Sequence, residues 1–571
     1  MDAQAPCHAQ LSPNPVPSEA PSTSRDDLPG QPLTVDRSSL SPWQRLLARL
    51  QSRSAMSWIE LLPCAGLLAG VAILVYGQHV RNGGFYWDDW SHASDYRDEG
   101  WQFAVNLWHD VLPGRPALAA LLPVPYAVFG SDVGAHLAMA VGLGTATSFC
   151  FYIFLRALSI EPGGAFVMSL LSLLFPWSEA ARLWPTASIN NLAVCAYLLG
   201  TVVALSGLRL EGRRGVVRHG MAALLYLLSL LIYEVAGCAI ALSIVLYRTR
   251  TSLRRAATRW LVDVLLVAAV LSVSAVYTSR VRHVGSLAER ITDVPRFSKQ
   301  GASIFASSFL PSALDSPVPK GAVLVACALI AGYASFLARD PSRETLRRWL
   351  RVLAVATLGL ASAYVMFLGS GLYPDYPGVD TRLHVFAGLA FAALCYAVLV
   401  IGVELLPVRR RGALALLTGA TLAVAIGFGN RLHDDIGRWD RATIAQDEFL
   451  SALKRTVKKP AGGSTIFSFG YPAEVSPGIP IFTHFWDLNG ALRITFNDSS
   501  LKGLPIYRPG GIICDKSFVY ASSFGVEHAS PYGRTMFVDV AAHRAIAVRS
   551  RSACKASKTQ FRPGPREQSR Y

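Results

Sequence analysis

The chain has 571 residues, 52% of them hydrophobic and only 16% charged, and its mean hydropathy is +0.34. Soluble domains carry about 25% charged residues, so a water-soluble globular protein of this length is excluded. The formal net charge of +16 would suit a nucleic acid partner, but no recognition fold is visible. The arginines sit in short segments between apolar runs, a pattern that reports membrane topology.

Residues 1–42 are rich in Pro, Ser, Ala and Asp without an apolar period, which predicts a disordered cytoplasmic tail. Trp43 to Leu50 reads as a basic amphipathic helix on the membrane surface, or as a continuation into the first span. Apolar runs follow at 57–79, 133–156, 163–179, 188–207, 220–247, 260–278, 319–338, 350–371, 382–405 and 412–429. Each is near the roughly 20 residues that cross a bilayer core. Between them lie clusters such as Arg209, Arg213, Arg214 and Arg218, then Arg248, Arg250, Arg254 and Arg255, and later Arg409 to Arg411. The positive-inside rule assigns all of these to the cytoplasm. Because basic clusters flank 220–247 at both ends, that run is expected to split into two short helices with Tyr233-Glu234 at the outer tip. The predicted total is then about eleven crossings, N-terminus inside and C-terminus outside.

The fold class expected is a polytopic α-helical membrane protein over 43–429, with an exported loop at 80–132. After about 430 the pattern changes to short β-prone runs, at 465–469, 492–496, 517–520 and 545–548, between Gly, Pro, Asn and Asp. A small extracytoplasmic domain, mostly β or α+β, is predicted over 430–555, followed by a disordered basic tail at 556–571. Cys514 and Cys554 fall in this polar region, where a disulfide can form if it is exported. The other cysteines sit in or beside apolar runs or in the tail.

The stretch with chemistry is Gly83-Gly84-Phe85-Tyr86-Trp87-Asp88-Asp89-Trp90, where the first span should emerge into water. An adjacent pair of carboxylates can bind a divalent cation such as Mg or Mn, or supply a general base for a hydroxyl. A solvated acidic loop is the plainer alternative. No P-loop, GxSxG, HExxH or dinucleotide fingerprint occurs in a supporting context.

Phe85-Tyr86-Trp87-Asp88-Asp89-Trp90 after a first span, followed by a Trp-rich loop and Gly114-Arg115-Pro116, resembles the GT-C superfamily of membrane glycosyltransferases. Protein O-mannosyltransferases, aminoarabinose transferases and bacterial arabinosyl- or glucosyltransferases look nearest. The pair here is Asp-Asp where Asp-Glu is also common. The resemblance implies Asp88 as catalytic base and Asp89 in a supporting or metal-binding role, with no metal required. It also implies a polyprenyl-phosphate sugar donor and an envelope glycan, lipid or protein acceptor, at the extracytoplasmic face of a bacterial plasma membrane. A departing lipid phosphate needs cations on that face, and Arg115, Arg182 and Arg382 are the candidates, with His384 close to Arg382. Glu234, amid apolar runs, is expected to orient substrate or to pair with Arg115 or Arg182. The rival reading is a transporter or lipid-linked sugar flippase, in which broken helices should recur at matching places in two halves.

Overall fold

A computed structural model describes residues 58–279, 287–309, 343–368, 372–507, 511–523 and 526–561. The chain divides at Trp58, and all that follows concerns the unit Ile59–Tyr571. The tail 1–42 and the segment 43–50 lie outside the described residues.

Among the described residues, eight helices are long and apolar enough to cross a membrane: Trp58–Asn82, Val133–Ala157, Pro185–Gly207, Gly212–Ile232, Leu253–Thr278, Glu344–Val365, Val379–Leu405 and Arg410–Thr456. Each coincides with a run expected from the sequence. The other three crossings of the predicted eleven do not appear as full-length helices among the described residues. The 319–338 run lies outside them. The 163–179 run forms only the helix Pro162–Leu173, which ends before Pro176. Beyond Ile232, extended backbone at Tyr233 ends the 220–247 run's long helix, and only short helices Gly237–Ala241 and Ile244–Tyr247 follow. The break falls at Tyr233-Glu234, the position expected for the turn between two short helices.

The segment after Leu173 is a series of short turns, Pro176–Ser178, Ala180–Leu183 and Pro185–Ser188, and it is buried almost throughout. Proline at 176 and 185 interrupts the helical ladder, and a buried backbone group without a partner is costly. Side chains therefore supply the missing bonds. Tyr76 donates to the Leu173 carbonyl, Asn191 to the Ala181 carbonyl, and the Thr381 hydroxyl accepts the Ala180 amide.

The helix Arg410–Thr456 is continuous past residue 430, where the composition changes, and runs into the C-terminal domain. That domain is mixed rather than mostly β. Its strands are β1 (Thr465–Phe469), β2 (Glu474–Ser476), β3 (Ile479–Pro480), β4 (Lys502–Pro505), β5 (Ile512–Cys514), β6 (Phe518–Ser523), β7 (Val526–Pro531), β8 (Thr535–Asp539) and β9 (Arg544–Val548). One sheet has the order β4-β1-β8-β9, with β1 parallel to both β4 and β8 and only β9 antiparallel. Strands β2 and β3 form a small hairpin, and β5-β6-β7 an antiparallel sheet.

A parallel pair needs a long crossover, usually a helix, and the helix Phe485–Phe496 lies between β1 and β4 in sequence. The strand expected over 492–496 is thus the end of a helix. Its local β propensity is overridden by burial of Leu488, Ala491 and Leu492 at helical spacing, and by a capping box between His484 and Asp487. Ile466 packs with Phe449, Leu453 and Leu488 on one face of the sheet, while Phe467 packs with Leu504, Phe537 and Phe561 on the other. Order extends past residue 555, because Arg551–Lys558 is helical and Phe561 is buried. Only 562–571 of the expected tail lies outside the described residues. Cys514 and Cys554 are joined in a disulfide.

The domain meets the exported-loop candidate where Phe485–Phe496 crosses the helix Asp88–Glu99 at Gly490. A Cβ at 490 would overlap the main chain of Trp90, so only glycine permits this approach. Gly490→Val is expected to destabilise the protein by about 1–3 kcal/mol, read as a lower melting temperature in detergent. Gly429→Ala, where an added Cβ meets nothing within 4 Å, should melt at or above the wild-type temperature.

Candidate functional site

The turn after the first span is fixed from three sides. The Tyr86 hydroxyl donates to the Trp439 carbonyl at 3.1 Å and accepts from the Gly84 amide at 3.1 Å. His79, at the end of the first span, bonds Asp440 at 2.7 Å and the Leu183 carbonyl at 3.0 Å. Trp87 has a positive φ of 48°, an unfavourable conformation for a bulky residue. Its indole N–H donates to His484 Nδ1 at 3.0 Å.

The two carboxylates of the motif sit in different surroundings. Asp89 is fully buried and its oxygens are engaged. Oδ2 accepts the Tyr86 amide at 3.0 Å, and Oδ1 accepts the Thr186 amide at 2.9 Å and the Thr186 hydroxyl at 2.5 Å. Burial pushes its carboxyl up to about 7, against the pull of the Thr186 and Tyr86 hydrogen bonds. Asp88 opens the helix Asp88–Glu99 and is half-buried. Its Oδ1 accepts the Trp486 indole N–H at 3.0 Å, and among the described residues Oδ2 makes no hydrogen bond.

An aromatic frame surrounds Asp88. The Trp87 ring lies 5.4 Å from Trp184, 5.3 Å from His484 and 6.3 Å from Trp486. The imidazole of His484 is held down to about 4 by burial and is neutral, as it must be to accept the Trp87 N–H. The Arg382 guanidinium stands 5.1 Å from the Trp87 ring and 5.3 Å from the Trp184 ring. Its ionic contact is with Asp380, at 3.5 Å. Apart from that ion pair, the guanidinium has no hydrogen bond among the described residues.

The remaining expected residues have protein partners. Arg115 forms a two-pronged pair with Glu234, at 2.8 and 2.6 Å, and lies over the Tyr233 ring. This pair neighbours the Arg382 region, since the charges of Arg115, Arg382, Glu234 and Asp380 all act on the Tyr233 phenol. Arg182 is buried and donates to the Ser172 carbonyl at 3.3 Å, the Phe175 carbonyl and the Ser178 hydroxyl at 3.1 Å. It serves the carbonyls freed by the broken segment. His384 is buried between the Tyr364 hydroxyl, at 2.5 Å, and the Asp375 carbonyl, at 3.3 Å.

Among the described residues no group of three His, Cys, Asp or Glu side chains could hold a metal ion. Trp486 and His484 are the site residues that sequence reasoning missed. The helix start at Thr483 to Asp487, a capping box with two aromatic residues inside it, was their one local signal.

No family model and no curated protein matches the sequence. Among solved structures, the crystal structure of the Archaeoglobus fulgidus oligosaccharyltransferase, tethered through a disulfide to an acceptor peptide containing the NVT sequon, is similar at a TM-score of 0.40 and 11% identity. The match covers 79% of this chain, which spans 64% of that one.

The raised carboxyl of Asp89 carries a stability signature. Its folded value of about 7 exceeds the ordinary 3.8, so the folded chain holds the proton more tightly than the unfolded one. The stabilisation is complete below the ordinary value and is lost as pH rises to about 7. Asp89→Asn should remove this component. The difference in melting temperature between wild type and variant is expected to shrink between pH 4 and pH 7; a constant difference would show that the group does not titrate there.

Proposed function

We propose that the protein is an inverting membrane glycosyltransferase that moves a sugar from a polyprenyl-phosphate donor to an envelope glycan, lipid or protein acceptor on the extracytoplasmic face. One observation carries this reading. Asp88, bonded to the Trp486 indole, keeps a carboxylate oxygen without a hydrogen bond, and Arg382 lies over the Trp87 ring, 6.3 Å from that of Trp486, with guanidinium N–H groups that make no hydrogen bond among the described residues.

The acceptor hydroxyl attacks the anomeric carbon of the donor while Asp88 Oδ2 takes its proton. The bond from that carbon to the phosphate oxygen breaks, and the charge left on the lipid phosphate is met by Arg382, whose planar fork matches phosphate oxygens. One displacement inverts the configuration. Asp89 keeps the turn in place, and Arg115 acts through its pair with Glu234. No step in this scheme is routed through a metal ion.

The disulfide supports an oxidising compartment for the C-terminal domain. The free cysteines among the described residues, Cys64, Cys150, Cys195, Cys238 and Cys395, lie in the helical part. The proposed topology retains about eleven membrane-entering segments with the arginine clusters inside. The short helices after Leu173 and Ile232 are then re-entrant elements.

The test is transfer in liposomes supplied with a panel of short-chain polyprenyl-phosphate sugars and delipidated envelope. Asp88→Asn is expected to lower transfer about 10²- to 10⁴-fold, the range for loss of a positioned base. Undiminished transfer excludes the base role. Movement of the lipid-linked sugar across the bilayer without transfer supports the flippase instead.

A further inference from the structure

Asp88 and Arg382 come from elements far apart in the chain, the turn after the first span and the start of the span Val379–Leu405. Displacing reacting groups by about 1 Å can cost a hundredfold in rate, so something must set their separation. Through the strip Glu474 to Asp487 the C-terminal domain bonds Asp88 itself and the backbone of the turn that bears Arg382.

At one end of the strip Trp486 donates its indole N–H to Asp88. The helix that carries Trp486 is clamped to the helix that carries Asp88. Arg493 pairs with Asp95 at 3.1 Å, Arg97 donates to the Arg493 carbonyl at 3.3 Å, and the backbones meet at Gly490. At the other end the Gly478 carbonyl, at the tip of the β2–β3 hairpin, accepts the Val379 amide at 2.8 Å. Val379 opens the turn Val379–His384 that bears Arg382. Gly378 and Gly478 have φ of +105° and +76°, and a Cβ on Gly478 would overlap the Pro377 carbonyl. Glu474 braces the tip by accepting the Gly478 amide at 3.0 Å. Between the two ends the strip is tied down. Ile479, Ile481 and Phe482 are buried, and Gln446 on the long helix donates to the Ile481 carbonyl at 2.9 Å.

We propose that the C-terminal domain acts as a caliper, with Trp486 positioning Asp88 and the Gly478 carbonyl positioning Arg382. Both are positioning groups and neither touches the reacting atoms. The inference rests on the roles given above to Asp88 and Arg382, and it adds that the domain is part of the site.

The test uses the full chain in lipid nanodiscs and two readouts that need no turnover. Farnesyl phosphate binding, followed by tryptophan fluorescence, reports the Arg382 end. Carbodiimide modification of Asp88, followed by peptide mass spectrometry at fixed pH, reports the other end. Gly478→Val should weaken farnesyl phosphate about tenfold and leave Asp88 modification within about twofold, since one lost phosphate contact accounts for that much. Trp486→Phe should leave the affinity within about twofold and speed Asp88 modification about fivefold, because one oxygen loses its donor.

General destabilisation would move both readouts in both variants, so only the crossed pattern supports the proposal. If Gly478→Val does not fold, Glu474→Ala releases the same tip and is read in its place. Wild-type binding without the crossed pattern overturns the caliper and leaves glycosyl transfer standing. Absence of farnesyl phosphate binding by the wild type overturns both.

Discussion

Three hydrogen bonds to one buried carboxylate set the geometry on which the rest depends. Asp89 closes the turn by accepting the amide of Tyr86 and ties it to Thr186, across nearly a hundred residues of sequence. Its neighbour Asp88, at the first position of the helix, is half-buried and keeps one carboxylate oxygen without a hydrogen bond among the described residues. The adjacent acids therefore sit in different surroundings, one engaged through both oxygens and one with an oxygen left over.

The same contrast sorts the arginines. A guanidinium fully engaged by protein acceptors has little left for a ligand. Arg182 is surrounded by carbonyls because the chain beside it is broken and buried, and such carbonyls need donors. Arg115 has both prongs on Glu234. Arg382 is held by two aromatic faces and a looser ion pair with Asp380 at 3.5 Å, and makes no hydrogen bond among the described residues. Cation–π contact is a means of fixing an arginine without using the donors that a phosphate needs.

Much of the helical part was legible from the sequence, because length and hydropathy alone define a span. The break at Tyr233-Glu234 was legible from charge on either side of it, and Asp88 from its place after the first span. The rest depended on distant contacts. The Trp486–Asp88 bond joins residues 398 apart, and nothing local announces it. The helix Phe485–Phe496 was hidden by its β-prone end, Leu492 to Phe496, whose helical state follows from the crossover between parallel strands. Arg182 looked like a ligand because its neighbours' unpaired carbonyls exist only in the folded chain. The Cys514–Cys554 bond was left open because spacing does not fix geometry.

The helix Arg410–Thr456 has a further consequence. At 1.5 Å per residue its 47 residues make a mast of roughly 70 Å, rooted among the spans and crowned by the C-terminal domain. Such a mast links the height of the crown to the thickness of the lipid slab, because a thinner or thicker bilayer is met by leaning. Any such lean would load the close contacts at Gly490 and Gly478, where the crown meets the segments beside the spans Trp58–Asn82 and Val379–Leu405.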